Sequence, residues 1–469
     1  MKPAQILLSM FLLVASVQAQ KEHALPKELP PYGTVTPMSA PTVKTVQLEN
    51  GLTVWLVPRP GFPKVATVLA IRGGLAADPK DRPGLAELLA NTLTQGSKTR
   101  TARQIAEQLQ ATGGDLDARA AQDSILISTT VLAEKFTQAL PIVADVAANA
   151  AFPDAEVTIA KSNLTNSLRG REAQPGFLAN RALARVVFGD HPYSVIAPTE
   201  ASIQQTTSAD LRREFARRSR PRQALLVVVG SFDATQAETA VRQAFRTWQS
   251  TDTAALAETP KPEMKIPHSI FFVPRPGSVQ TTLRFGLQGP RRQDPDYESA
   301  QVANAIYGGT FGSRMVLNIR EDKGYTYSPF SAVRSYREAG YLVTQADVRN
   351  PVTGASVNEI NYELNRMATT SPTETEMTQA KRYLVGIEAI RLQSGAGLAA
   401  ELANLWVNGL PPDEIARHTE KIEKSTPGDV TATARKYFPA ARAAIVAVGE
   451  QKVVQEELQP FSLEIKPAP

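Results

Sequence analysis

The chain contains no cysteine in 469 residues, which excludes disulfides, a thiol nucleophile and any thiolate metal site. Histidine is scarce as well. His23, His191, His268 and His418 are the only four, and the closest pair is 77 residues apart. Neither H-x-x-E-H nor H-E-x-x-H occurs, so no helix presents two imidazoles four residues apart to a zinc ion. A G-x-S-x-G nucleophile elbow is missing, and the Gly308–Gly309 pair precedes no Walker-type lysine, which removes two further classes of chemistry. Basic residues are scattered rather than blocked, and with a net charge of +5 and a pI near 9.2 they leave no nucleic-acid footprint. Beyond the N-terminus, no run is long and apolar enough to cross a membrane.

What is present describes an ordinary globular protein, with 42% hydrophobic and 21% charged residues. The length is too great for one hydrophobic core, so two or more domains are expected. At the N-terminus, Lys2 precedes an apolar run from Ile6 to Ala15, followed by Ser16, Val17, Gln18 and Ala19. A short basic region, a brief apolar region and small residues at the cleavage positions predict a signal peptide over 1–19. Export follows, to the periplasm if the source is a Gram-negative bacterium. No cysteine stands after the cleavage point, so a lipid anchor is not expected.

Residues 20–42 are Pro-rich and patternless and read as an extended lead-in. The rest carries an internal duplication. VPRPG at 57–61 recurs at 273–277, an offset of 216 residues, and IQQTTSADL at 203–211 matches IEKSTPGDV at 422–430, an offset of 219. In each copy twenty residues separate an aspartate from a glycine closing an apolar strand, Asp210 to Gly230 and Asp429 to Gly449. Two homologous domains, 43–250 and 268–469, are therefore expected on either side of a polar, Pro-containing linker at 251–267. Within the first, VATVLAIRGG reads as a strand leading into a helix at 84–95. TARQIAEQLQATGG reads as a helix with a Thr101/Gln104 capping box and Gly113 or Gly114 past its end. DLDARAAQDSILISTTV has strand character, and long helices follow at about 133–149 and 154–172. Further helices are expected at about 373–393 and 397–408. The order predicts an α+β class, each domain a mainly antiparallel sheet with helices packed on one face.

Two segments carry the candidate chemistry. Residues 308–327, GGTFGSRMVLNIREDKGYTY, read as a helix-to-strand unit that sets Arg320 and Tyr327 seven apart around a Gly324 turn. On spacing alone, Arg320 caps a helix C-terminus and Tyr327 packs in a strand. The segment GLAELLANTLTQGS at 84–97 has similar flanks and carries Glu87, Ala90 and Asn91. Glu87 and Asn91 share one helical face, which reads as a solvated face because the pair would suit a hard cation only weakly. His191, in FGDHPYS beside Pro192, reads as a structural or capping residue.

The stretch IYGGTFGSRMVLNIREDKGYTYS resembles the C-terminal-domain signature of the pitrilysin/insulinase metallopeptidases, the inverzincins, which include mitochondrial processing peptidase. The duplication, the I-x-x-[ST]-T-x-x-D-[LV] segments, HPY at 191–193 and AKRYLVG at 380–386 fit the same family, over roughly residues 43–450. The resemblance implies a two-domain clamshell, with Arg320 and Tyr327 as catalytic donors and Gly308, Gly309 and Ser313 as substrate-binding residues. It also implies a degenerate zinc site. Glu87 and Asn91 fall at the two histidine positions and Ala90 at the general-base glutamate. No acidic residue lies between Val157 and Arg171, where the third ligand would stand. Bacterial members that divide the labour imply a heterodimer, in which a homologous H-x-x-E-H subunit brings zinc and this chain brings none. Peptide substrate would then lie along an edge strand of the partner by β-addition. The corresponding edge here, Asp117 to Ala121, would be vestigial or serve the dimer contact. A non-catalytic scaffold or peptide-binding protein from the same family is the alternative.

Overall fold

Strand and helix formation in each half follows from local signals that recur at the duplication offset. A computed structural model describes residue 33 and residues 38–250 and 258–469. The signal-peptide segment, most of the lead-in and residues 251–257 of the linker lie outside the described residues. In the first half, β1 (Lys44–Gln47), β2 (Thr53–Pro58) and β3 (Lys64–Arg72) precede helices α1 (Leu85–Leu93) and α2 (Ala102–Gln110). Then come β4 (Asp117–Ala120), β5 (Ser124–Leu132), α3 (Phe136–Asn149), α4 (Asp154–Glu172), α5 (Pro175–Phe188), α6 (Ser208–Arg218), β6 (Ala224–Gly230) and α7 (Ala234–Phe245). Helix α2 starts at the expected Thr101/Gln104 capping box, which satisfies end N–H groups reciprocally. Helix α6 starts with the same device at Thr207/Asp210.

The second half repeats the plan with β7 (Ile270–Pro274), β8 (Gln280–Gly289), α8 (Tyr297–Asn304), β9 (Phe330–Ser335) and β10 (Gly340–Arg349). It continues with α9 (Thr353–Thr369), α10 (Glu374–Leu392), α11 (Gly395–Val407), α12 (Glu414–Lys424), α13 (Pro427–Tyr437), β11 (Ala444–Gly449), α14 (Gln451–Leu458) and β12 (Ile465–Pro467). The capping box of α6 returns at Thr426/Asp429 of α13. The sheets run β1-β2-β6-β3-β5-β4 and β12-β7-β11-β8-β10-β9. Five strands correspond and the sixth does not. β1 comes from the start of its half and pairs antiparallel, whereas β12 comes from the end and pairs parallel. β4 and β9 are the equivalent free edges.

The central strands are apolar on both faces, as in the wholly buried run Ala224–Gly230. One face of the first sheet, with Val54, Leu56, Leu69, Leu226 and Val228, packs against helices of its own half. The opposite face, with Trp55, Val68, Leu225 and Val227, is covered by Leu398, Leu402 and Leu405 of α11, a helix of the second half. Reciprocally, Ala182, Leu183 and Val186 of α5 cover Phe271, Val446 and Val448 of the second sheet. Each half thus lends one helix to the other. The expected single helical face describes each half's own helices, and the exchanged helix closes the second face.

A polar contact accompanies the exchange. Buried Tyr193 donates its hydroxyl to Asp123 Oδ1 at 2.7 Å, and Asp123 Oδ2 accepts the backbone N–H of Arg337 at 3.0 Å. Burial pushes the Asp123 carboxyl up, and the bonds from Arg337 and Tyr193 oppose that shift. His191 caps as expected. Its Nδ1 accepts the N–H of Tyr193 at 3.2 Å, which leaves Nε2 to donate to the Pro260 carbonyl at 2.7 Å.

Leu402 is fully buried between the halves. Leu402→Ala should lower unfolding free energy by about 2–5 kcal/mol, the usual cost of a buried leucine truncation. Urea denaturation followed by circular dichroism checks this, and a change below 1 kcal/mol would mean α11 is not a structural element of the first sheet.

Candidate active site

Helix α8 does not end at a simple turn. It runs into a π-helical turn, Ala305–Gly309, a wide geometry often found at functional sites. Glycine fits closely there, since a Cβ on Gly308 would stand 2.9 Å from Ser331 Cβ and one on Gly309 3.0 Å from the Asn304 carbonyl oxygen. One short α-helical turn, Arg314–Val316, leads directly into a second π-helical segment, Leu317–Asp322, which carries Arg320. Gly324 then reverses the chain with φ +62°, a conformation that costs glycine little.

The helix-to-strand expectation needs correction at both ends. Arg320 belongs to a π turn rather than a regular helix end, and Tyr327 is not in a strand. β9 begins only at Phe330, because Pro329 has no N–H to give to a ladder. Tyr327 is therefore free of the sheet and 81% exposed.

The segment is held from behind. Arg314 makes a two-pronged pair with Glu376 of α10, at 2.6 and 2.9 Å. Asn318 donates to Glu359 and Glu363 of α9 at 2.9 and 3.0 Å, and Thr326 donates to the Asp347 carbonyl at 2.8 Å. These bonds fix the backbone on both sides of Arg320. The Arg314 guanidinium, with backbone and hydroxyl donors from Thr373, holds the Glu376 carboxyl down at about 2.

A cavity of about 390 Å³ opens in front of this segment, lined by Gly308, Gly309, Arg320 and Tyr327 together with Phe311 and Arg284. The Arg320 guanidinium carbon lies 5.0 Å from the Tyr327 ring centre and 5.2 Å from that of Phe311. Two cation–π contacts, each about 0.5–1 kcal/mol at an exposed site, hold the cation between the rings at the cavity mouth. Four of the five candidate residues in this half are thus brought together. Ser313 is the exception: it is buried and donates its hydroxyl to the Thr310 carbonyl at 2.6 Å, so it closes the turn and does not line the cavity. Sequence reasoning missed Arg284 and Phe311. The signal for the first was a lone arginine inside the apolar strand QTTLRFGLQG.

The equivalent site in the first half is filled differently. Glu87 of α1 is not on a solvated face. It pairs with Arg171 of α4 at 3.1 Å, and burial raises its carboxyl against the lowering effect of that guanidinium. Ala90 is packed into the core. Asn91 is exposed beside a separate cavity of about 340 Å³, shared with Gln95, Asn163 and the edge strand β4. These groups do not fit a zinc ion. A guanidinium occupies the carboxylate's neighbourhood, a methyl replaces the base and an amide replaces an imidazole. Among the described residues no group of three or more His, Cys, Asp or Glu is placed to hold a metal.

Fold, cavity and degenerate helix together define a metallopeptidase-like protein of two repeated α+β halves. Residues 53–195 match the family described as Insulinase (Peptidase family M16), and residues 206–384 match the Peptidase M16 inactive domain. The chain belongs to the M16 insulinase family, as an inactive-domain member related to zinc proteases. An uncharacterized zinc protease of Rickettsia bellii is 25% identical over 406 residues, 85% of this chain and 96% of that one. One from Mycobacterium leprae is 27% identical over 370 residues, 75% and 80% of the two chains. Among solved structures, a peptidase M16 inactive domain from Pseudomonas fluorescens shares the fold with a TM-score of 0.82 at 24% identity, covering 91% of this chain and all of that one. A chain of Complex III2 from Candida albicans shares it at 0.75 with 19% identity, covering 89% and 97%.

Two measurements check these assignments. Zinc or EDTA should leave the melting temperature unchanged, since a ligand that does not bind the native state cannot stabilise it. A zinc-dependent rise of several degrees would overturn the misfit at Glu87, Ala90 and Asn91. Glu376→Gln should cost about 1–2 kcal/mol near pH 7, modest because the carboxylate is partly open to water. The folded pKa lies below the ordinary value of 4.5, so this contribution is complete above pH 4.5 and fades as pH falls towards 2. Urea titrations of both proteins at pH 7, 4.5 and 3 should therefore show the difference narrowing at pH 3.

Proposed function

We propose that this chain is the non-metal-binding subunit of a heterodimeric zinc peptidase, supplying Arg320 and Tyr327 to peptide bound with a homologous H-x-x-E-H subunit. The observation that carries the reading is the convergence of these two side chains at one cavity mouth with their donors unspent. The Tyr327 hydroxyl and the terminal nitrogens of Arg320 make no hydrogen bond to any described residue, and Arg320 has only a loose pairing of Nε with Glu321 at 3.4 Å. A guanidinium and a phenol held at the mouth can both donate to a scissile carbonyl, and their bonds strengthen as its oxygen becomes negative. One well-placed donor of that kind contributes about 3–4 kcal/mol to the transition state. The same division of labour is supported by the first half, where among the described residues no group of three or more His, Cys, Asp or Glu is placed to hold a metal. Zinc would belong to the partner. The signal-peptide pattern at 1–19 supports placing the pair outside the cytoplasm.

The test is hydrolysis of a quenched fluorogenic peptide by this chain, by the H-x-x-E-H homologue and by the two together. Only the pair should cleave. Arg320→Ala in the pair should cut kcat/KM about a hundredfold, and Tyr327→Phe about tenfold or more, with the heterodimer still intact by gel filtration. A homologue fully active without this chain, or an Arg320→Ala pair of unchanged turnover, would make the chain a scaffold or peptide-binding protein instead.

A further inference from the structure

The floor of the Arg320/Tyr327 cavity is one face of the second sheet. Register places Phe330 of β9, Gln345 of β10 and Arg284 of β8 in a single row, and all three line the cavity. Arg284 is only 5% exposed. Its Nε donates to Asn180 Oδ1 at 2.9 Å and its Nη1 to the Leu283 carbonyl at 2.8 Å. Asn180 lies on α5, the helix lent by the other half. Gly176 of the same helix leaves room for the guanidinium, since a Cβ there would stand 3.1 Å from Nη2.

Those two bonds leave the guanidinium incompletely used. Of its five N–H groups, both on Nη2 make no hydrogen bond to a described residue. The nearest carboxylate, Asp347, stands 3.7 Å from Nη1 with its own side chain half exposed, too far for a hydrogen bond. Nη2 is not among the buried atoms left without a partner, so its spare donors are open to the cavity and to an acceptor that enters it. The lining holds two cations, Arg284 and Arg320, against one carboxylate, Asp347. Around them Phe311, Tyr327, Phe330 and Tyr383 supply apolar wall, and about 390 Å³ is within the range of specific ligand pockets.

We infer that Arg284 is the specificity residue of this cavity, and that the peptide it takes presents a carboxylate beside an apolar or aromatic residue. The inference rests on the proposed function for its substrate class and deepens it. An acidic side chain and a free C-terminal carboxylate offer the same planar pair of acceptors, to which a guanidinium donates two parallel charge-assisted bonds. Arg284 would hold that group at the floor while Arg320 and Tyr327 meet the backbone carbonyl at the mouth. Asp347 competes for the same guanidinium until the ligand enters.

Binding to this chain alone tests the inference without turnover. The probes are tetramethylrhodamine-labelled octapeptides of alanine and serine with a central Phe-Glu or Phe-Gln, each made as C-terminal acid and as amide, followed by fluorescence anisotropy. A tenfold tighter Phe-Glu amide than Phe-Gln amide would identify an acidic side chain as the source. A tenfold tighter Phe-Gln acid than Phe-Gln amide would identify the C-terminus. In either case Arg284→Met should abolish the difference. Equal binding of all four peptides, or a preference that survives Arg284→Met, overturns the assignment. Should Arg284→Met fail to fold, Asp347→Asn decides: removing the competitor should tighten the preferred acidic peptide several-fold, and no tightening rejects the inference. A pair that cleaves with Arg320-dependent turnover but shows no carboxylate preference would reject this assignment alone. A carboxylate preference in a chain that never supports cleavage would reject only the catalytic reading.

Discussion

The structure depends on burying two faces of each sheet at once. A central strand such as Ala224–Gly230 is apolar on both sides, and the helices of its own half cover one side only. The other side is closed by a helix lent from the opposite half, α11 on the first sheet and α5 on the second. Apolar area removed from water stabilises by about 25 cal/mol per Å², so neither sheet has a finished core without the other half. This constraint ties two repeats of one design into a single compact unit that includes residues 38–250 and 258–469.

The exchange also reaches the candidate chemistry. Asn180 of α5 holds Arg284 in the floor of a cavity whose lining residues all belong to the second half. Tyr193, just after α5, joins Asp123 to the β9–β10 hairpin through Arg337 and Glu338. The first half therefore supports the cavity from behind, through α5, although it supplies none of the lining. The cavity mouth is shaped by two π turns separated by a non-helical turn and a short α turn, and the wide backbone there is supported by Arg314 and Asn318 on buried or half-buried carboxylates. Rigid support of this kind is what lets exposed donors act from a defined position.

Divergence of the two halves is as informative as their likeness. Five strands and the Thr207/Asp210 and Thr426/Asp429 capping boxes recur, yet the first half pairs Glu87 with Arg171, whereas the second leaves the Tyr327 hydroxyl without a hydrogen bond to any described residue. Glu87 and Arg171 satisfy each other and stabilise the packing of α1 on α4. Arg320 stacks between Tyr327 and Phe311 and has only a loose Nε pairing with Glu321 at 3.4 Å.

Much was legible in the chain because it is local. Capping boxes at Thr101, Thr207 and Thr426 depend on residues three apart, and the helices at 154–172 and 374–392 lie within a residue or two of where their patterns place them. The absence of an H-x-x-E-H motif is likewise a matter of residue identity and spacing. Tyr327 was misplaced because Pro329 delays β9, and Glu87 because its partner Arg171 is 84 residues away. Ser313 was misjudged because burial is not a property of a motif. Sequence thus determined the repeat and the family, both carried by residue identity and short spacing. Only tertiary structure decided which helix covers which sheet, how Arg320 comes to lie between Tyr327 and Phe311, and that Arg284 waits beneath them, since each requires contacts between segments that the chain alone does not bring together.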